Sequence, residues 1–214
     1  DGRGFDPVGG VAYRESTPPP FSGSFDGNTH TVVGTPHLKT IDRPNQNFVG
    51  LFGVAGSKAT IRDITLIGWT VTGDSDVGGL VGHNDGTIQT ATVSGSVTGD
   101  RQVGGLVGGN QDGTIKNATS SVSVTGDTEV GGVAGDNSGM IQTAAASGNV
   151  IGTGTGGSDT GGLVGTNSGT IQTAAASGSV DGTGPVGGLV GYNGNFATIQ
   201  NVTASGSVSG DPQL

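Results

Sequence analysis

Hydrophobic residues along this chain recur in an order that repeats about every 26 residues. The clearest marker is the tetrapeptide Gly-Leu-hydrophobic-Gly, followed by a turn, an isoleucine and, nine or ten residues later, a valine. The tetrapeptide begins at Gly50, Gly79, Gly105, Gly132 (as the variant Gly-Val-Ala-Gly), Gly162 and Gly188. The isoleucines are Ile61, Ile88, Ile115, Ile141, Ile171 and Ile199, and the valines are Val71, Val97, Val124, Val150, Val180 and Val208. This order predicts several short strands per repeat.

A repeat of this length, built from short β segments and turns, predicts an all-β fold of the β-solenoid (β-helix) class. We expect about six rungs of about 26 residues with an irregular N-terminal cap. The 46 glycines and the many β-branched residues disfavour helices. Rungs stack about 4.8 Å apart, so isoleucine lies on isoleucine and valine on valine.

The repeat divides the chain into two parts. Residues 1–47 do not repeat and are predicted to form an N-terminal cap or first incomplete rung, whereas 48–214 form one continuous solenoid domain. Terminal repeats of solenoids are atypical because they cover an open edge. No such segment follows the last rung, so we expect a fragment of a longer chain, or self-association through the uncapped C-terminal rung. Ile151 to Thr160 hold four extra residues and are predicted to form a projecting loop.

One polar column follows the tetrapeptides. Each of its asparagines lies two residues after the closing glycine, where Asn suits tight turns and bonds the local backbone. We predict a structural ladder in which stacked amides also bond to one another, and a ligand-binding row of amides is the alternative. The column consists of Asn84, Asn110, Asn137, Asn167 and Asn193.

A second polar column carries carboxylates. Asp74, Asp100 and Asp127 each follow Thr-Gly in successive repeats. Like charges at rung spacing repel one another unless they are solvated or bridged by a cation. Calcium prefers oxygen ligands, so a calcium row is one hypothesis and a solvated Gly-Asp turn is the other. No other cofactor is expected.

Composition excludes several classes of function. A net charge of −9 disfavours nucleic-acid binding, and no hydrophobic run is long enough to span a bilayer. The chain has no cysteine, and its three histidines, His30, His37 and His83, lack metal-ligand spacing. Asp26, Asp42 and Asp63 are candidates for an acid/base pair, but they lie in unlike local sequences and aromatic residues are scarce. We therefore expect no enzyme.

Outward positions offer a candidate binding face. Strand alternation places Thr and Gln outside the isoleucine of each Thr-Ile-Gln segment, as two parallel ladders for a glycan or a crystalline surface such as ice. The ladders contain Thr87, Gln89, Thr170, Gln172, Thr198 and Gln200, and the pattern breaks at residues 114–116 and 140–142. Asn117 and Asn201 begin N-glycosylation sequons at one equivalent rung position.

The six Gly-Leu-hydrophobic-Gly segments resemble the GLUG-motif repeat family, and the resemblance covers nearly the whole chain. They are preceded by a segment that fits the same family, Phe25-Asp26-Gly27-Asn28-Thr29-His30-Thr31-Val32. The resemblance implies a glycine-rich, extracellular module of a cell-surface protein, such as adhesin-like or IgA-peptidase-type proteins, with no catalytic residues. The expected role is a structural stalk or an adhesin-like module. Its expected partners are other domains of the same surface protein, glycans or cell-surface molecules. A self-assembling filament subunit is a further alternative.

Overall fold

The chain folds as a parallel β-solenoid, which confirms the fold predicted from the repeat. The computed structural model describes residues 4–10, 19–33, 40–154 and 157–210, and in these ranges it contains strands and turns but no helix. A membrane-crossing helix of sufficient length and apolarity is accordingly absent from these ranges. His37 and the loop residues 155–156 lie outside them.

The described strands form three sheets of twelve, six and five strands, which we call the long, six-stranded and five-stranded sheets. Each circuit of the chain visits the six-stranded, long and five-stranded sheets in turn. In chain order the strands are β1 (Ser24–Asp26), β2 (Thr31–Val33), β3 (Thr40–Asp42), β4 (Phe52–Ala55), β5 (Thr60–Thr72), β6 (Ser75–Gly78), β7 (Val81–Asn84), β8 (Thr87–Thr98), β9 (Arg101–Gly104), β10 (Val107–Asn110), β11 (Thr114–Gly126), β12 (Thr128–Gly131), β13 (Ala134–Asn137), β14 (Met140–Ala146), β15 (Val150–Gly152), β16 (Thr160–Gly161), β17 (Val164–Asn167), β18 (Thr170–Ala176), β19 (Val180–Gly182), β20 (Val186–Gly187), β21 (Val190–Asn193), β22 (Thr198–Ala204) and β23 (Val208–Gly210).

Strand pairing places equivalent residues of successive rungs side by side. Ile88 pairs with Ile61 on one side and Ile115 on the other, in parallel register. The first five isoleucines of the column have no exposed surface, and the valines from Val71 to Val180 are at most 1% exposed. Each rung therefore contributes a few aliphatic side chains to one continuous core, which gives the rungs most of their stability.

The N-terminal segment adds a further layer to the same sheet. Strands β1, β2 and β3 pair in parallel with three successive parts of β5. Phe21 and Phe25 pack on Phe52, with ring centroids 5.0 and 5.3 Å apart. At the other end the last rung is more open, and Val208 is 49% exposed.

A column of left-handed residues bends the long sheet and was not predicted. Two residues after each isoleucine of the column, φ lies between 53° and 58°. The turn of the backbone there lets the isoleucine and the residue three positions later both point into the core, as Ile61 and Ile64 do. A left-handed conformation costs most residues about 1–2 kcal/mol, whereas Asn tolerates it better. The column contains Asp63, Thr90, Asn117, Thr143, Thr173 and Asn201.

Replacing Thr173 with Asn should therefore stabilise the protein. Thr is β-branched and strained at positive φ, so Thr173→Asn is expected to raise the free energy of unfolding by up to about 1 kcal/mol. Chemical denaturation of the purified variant measures the change. Thr170→Asn, in the same strand but without a positive φ, is the matched control and should not stabilise. Equal stabilisation by both variants would contradict the strain argument.

Candidate functional site

The asparagine column is a continuous chain of side-chain hydrogen bonds. Each Nδ2 donates to the Oδ1 of the asparagine in the next rung. The donor–acceptor distances are 2.8 Å from Asn84 to Asn110, 2.7 Å from Asn110 to Asn137, 2.8 Å from Asn137 to Asn167 and 2.8 Å from Asn167 to Asn193. The first four side chains are fully buried. The chain of amides runs in one direction through five rungs.

Local turns explain why asparagine lies at this position. Asn84 Oδ1 accepts a hydrogen bond from the Gly86 backbone N–H at 3.2 Å, and Asn84 Nδ2 also lies 3.3 Å from the Gly86 carbonyl oxygen. The amide thus closes the turn after β7 and reaches the next rung as well. Buried amides with these partners are satisfied internally, which favours a structural role over a ligand-binding one.

The Thr-Gln ladders lie outside the long sheet. Thr87 and Gln89 flank the buried Ile88, and the segments at residues 170–172 and 198–200 pair in the same register. Gln89 and Gln200 are exposed, and Gln172 is half-buried. Arg62 and Lys116 occupy the Gln column in two other rungs, and Met140 occupies the Thr column in a third. The structure therefore forms the ladders but interrupts them.

A second outward pair of columns, which sequence reasoning missed, flanks the buried valine column. Its most regular part is a block of three rungs aligned in register, called here the hydroxyl block. Within the described chain, the one hydrogen bond joining these hydroxyls to another protein group is Ser96 Oγ to Thr70 Oγ1, at 3.4 Å. The sequence shows this pattern as Thr-Val-Thr at residues 70–72 and Ser-Val-Thr at residues 96–98 and 123–125. The hydroxyl block contains Thr70, Thr72, Ser96, Thr98, Ser123 and Thr125.

The aspartate column stacks at the turns after the long strands. The Asp100 backbone N–H donates to the Asp74 carbonyl at 2.8 Å, and that of Asp127 donates to the Asp100 carbonyl at 2.9 Å. The side chains of Asp100 and Asp127 are exposed, and Thr153 Oγ1 donates to Asp127 Oδ1. In the described ranges no group of three or more His, Asp or Glu side chains is arranged to hold a metal ion.

The three candidate acid/base carboxylates lie at two separate places along β5. Asp26 and Asp63 lie on either side of Arg62, whose guanidinium nitrogens are 2.6 Å from Asp26 and 3.5 Å from Asp63. Asp42 lies on β3, which pairs with the far end of β5. His30 is exposed in the turn before β2.

His83 has a more specific environment than the sequence indicated. Its Nδ1 lies 3.2 Å from Asp76 Oδ1, and its Nε2 lies 3.4 Å from Asp85 Oδ1. The ring of Phe48 packs edge-on against it, with centroids 5.6 Å apart. Asp76 lies on β6 and His83 on the next strand, β7, so it is the turn of the chain between these two strands that brings the side chains together.

Both sequon asparagines lie at accessible corners. Asn117 and Asn201 are exposed members of the left-handed column, each with φ of 53°. The sequon threonines, Thr119 and Thr203, are exposed as well. A glycan attached to either asparagine would project away from the long sheet.

Comparison with known proteins identifies the repeats. Residues 73–98, 99–125 and 182–209 match the GLUG motif, so this chain carries GLUG repeats. A stretch of 96 residues is 42% identical to halomucin of Haloquadratum walsbyi, and a stretch of 95 residues is 36% identical to a protein of Evansella cellulosilytica described as a Gly-rich membrane protein. These stretches cover 44% and 43% of this chain but 1% and 10% of the two relatives.

A solved structure shares the fold. The crystal structure of a Bacteroides ovatus protein assigned as an immunoglobulin A1 protease superposes with a TM-score of 0.61 at 21% sequence identity. The match covers 86% of this chain and 61% of that chain. At this level of identity the likeness concerns architecture alone.

Breaking the amide chain in its middle should destabilise the solenoid. Asn110→Ala removes the acceptor of Asn84 and the donor to Asn137 in a fully buried position, and each buried group left unpaired costs about 1–3 kcal/mol. Denaturation should show a clearly lower free energy of unfolding. Asn193→Ala, at the exposed end of the asparagine column, is the control and should lower the free energy of unfolding by less. A larger loss for the control would show that the ladder adds nothing.

Proposed function

We propose that this GLUG-repeat solenoid is a non-enzymatic, extracellular module of a cell-surface protein and acts as a stiff stalk. The observation that carries the proposal is the single uninterrupted core that runs through all rungs, and the directional amide chain from Asn84 to Asn193 reinforces five of them. A rod of this kind fixes the distance between whatever adjoins its two ends. The expected partners are other domains of the same surface protein.

The relatives support the location at the cell surface. One is named halomucin and the other is described as a membrane protein. The non-enzymatic character is supported by the ion pairs that engage two of the candidate carboxylates, Asp26 and Asp63, with Arg62. The sequons at Asn117 and Asn201 lie at exposed corners, where a glycan on a surface protein would be accommodated.

Lengthening the solenoid by whole rungs tests the stalk. Two extra copies of residues 99–125, inserted after Thr125, keep the register and should add about 10 Å to the maximum dimension, at about 4.8 Å per rung. Small-angle X-ray scattering measures this dimension. The control is an insertion of the same length, rich in Gly and Ser, after Gly154, whose scattering should fit the parent rod with an added flexible loop and no added rung. An extended variant that grows no longer than the parent would refute the stalk.

A second candidate function is binding through the outward faces, and the regular hydroxyl block is the observation that favours it. We propose the Thr-Gln ladders and the hydroxyl block as the two alternative faces for a glycan or a crystalline surface. The residues of the ladders and of the hydroxyl block carry hydroxyl and amide groups, so hydrogen bonds from these groups would supply the recognition. Calcium bound along Asp74, Asp100 and Asp127 is a further proposal, since these three aspartates occupy the same turn in successive rungs.

A glycan array and an ice-growth assay, each run with and without calcium, test these faces. Binding through the hydroxyl block should be lost in Thr98→Tyr, because a large ring breaks the flat row, and retained in Gln89→Tyr. Binding through the Thr-Gln ladders should show the reverse pattern. Calcium participation should appear as a melting temperature that falls when EDTA is added. If the wild type binds nothing under either condition, the chain is a stalk without an adhesive face.

A further inference from the structure

Two columns of mostly polar residues meet where the five-stranded sheet adjoins the six-stranded sheet. We call this contact the seam. Its five-stranded side contains Phe48, Asp76, Gln102, Glu129 and Asp159, and its six-stranded side contains His83, Gly109, Asp136 and Thr166. Four members of the first column, Phe48, Asp76, Gln102 and Glu129, have φ between 49° and 61°.

The seam brings carboxyl groups together across rungs and buries them. Asp76 and Asp136 are each only 7% exposed. Gln111 Nε2 donates to Asp136 Oδ2 at 3.0 Å, and Ser138 Oγ lies 3.4 Å from the same oxygen. Glu129 has one buried carboxyl oxygen, Oε2, without a hydrogen-bond partner. A buried carboxyl group in these surroundings is better accommodated with a proton than without one.

The two ring nitrogens of His83 impose a second proton requirement. Neutral histidine has one donor and one acceptor nitrogen, whereas imidazolium donates from both. Nδ1 faces Asp76 and Nε2 faces Asp85, so only imidazolium can donate to both carboxylates. Loss of the proton would set a nitrogen lone pair against a carboxylate oxygen and weaken the tie between the two sheets.

We propose that the seam is a proton-responsive latch, closed by protons on His83, Glu129 and Asp136 and loosened when they leave. Closing holds the six-stranded sheet against the five-stranded sheet along the first four rungs. Loosening leaves the carboxylates of Asp76, Glu129 and Asp136 facing one another with less positive charge nearby. The left-handed residues on one side of the seam then lose part of the packing that holds them in place.

The surroundings of His83, Glu129 and Asp136 raise the pKa of each group, which favours the protonated form that closes the latch. Burial raises the pKa of Asp136 to about 6, helped by the charges of Glu129 and Asp76 and opposed by hydrogen bonds from Ser138 and Gln111. Burial also raises the pKa of Glu129, and the negative charges of Asp159 and Asp76 raise it further. The hydrogen bond from Gln102 and the positive charge of Arg101 oppose this rise. Burial lowers the pKa of His83, but Asp76 and Asp85 outweigh it and raise that pKa above its ordinary value.

The sign of the pH dependence follows from these directions. A group whose pKa is higher in the folded state stabilises fully below its unfolded pKa, and this stability is lost as pH rises through the folded pKa. For Asp136 the loss falls between pH 3.8 and about 6, and for His83 it begins above about 6.5. Asp136 alone can lower the folding equilibrium constant by about a hundredfold across its window.

Thermal unfolding of the full chain from pH 4.5 to 8 tests the latch. The wild-type melting temperature should fall as pH rises, and hydrogen exchange at Glu129 and Val130, corrected for its intrinsic pH dependence, should accelerate more than in the core strand β11. Glu129→Gln with Asp136→Asn should flatten the lower part of the profile. His83→Gln should flatten the upper part. Asp181→Asn, an exposed aspartate far from the seam, is the control and should retain the wild-type slope.

Several outcomes would overturn the latch. A wild-type melting temperature that is constant or rises over this range would do so, as would a double variant with the wild-type slope. If the double variant does not fold, carboxyl NMR of the wild type decides, since the latch requires Asp136 to titrate near pH 6 and an ordinary value near 4 contradicts it. None of these results depends on whether the solenoid is a stalk.

Discussion

Parallel stacking in register is the constraint on which the rest of this structure depends. A single rung of about 26 residues cannot bury enough apolar surface to offset the entropy of ordering its backbone, so every rung relies on the rungs above and below it. Stacking in register then sets each side chain against its own equivalents. A residue type is favourable at a position only if it tolerates its neighbours in the stack.

The polar columns show how differently side chains meet this requirement. An amide carries a donor and an acceptor, so stacked asparagines satisfy one another and can be buried completely, as Asn110 is. Carboxylates carry acceptors alone, so stacked or adjacent acids need solvent, a cation partner or a proton. Asp100 meets this need by exposure, whereas Asp136 is buried beside Glu129 and meets it through a raised pKa. Stacking therefore satisfies the buried amides completely, whereas a buried carboxyl group is better accommodated with a proton.

The columns that the sequence predicted are those in which one residue type repeats. Ile88, Val97 and Asn84 recur at equal spacing, so period alone located them. The seam escaped because its members change from rung to rung, from Phe48 to Asp76 to Gln102, and because its contacts cross between rungs and sheets. The left-handed column escaped for a related reason, since Asp, Thr and Asn share a backbone conformation there but no side-chain signature. Binding partners depend on outward residues, which stacking constrains least.

The one-way order of the asparagine amides gives the solenoid an electrical direction. Each of the first four ladder amides donates one N–H toward the next rung in the C-terminal direction, so this component of the side-chain dipoles adds along the axis instead of cancelling, as peptide dipoles do in a helix. Asn193 ends the row with partial positive charge, and Asn84 begins it with a partially negative oxygen. The two ends of the ladder are therefore chemically unequal: the amide of Asn193 favours a hydrogen-bond acceptor beside the last rung, whereas Asn84 is covered by the first rung, in which Ala55 occupies the column.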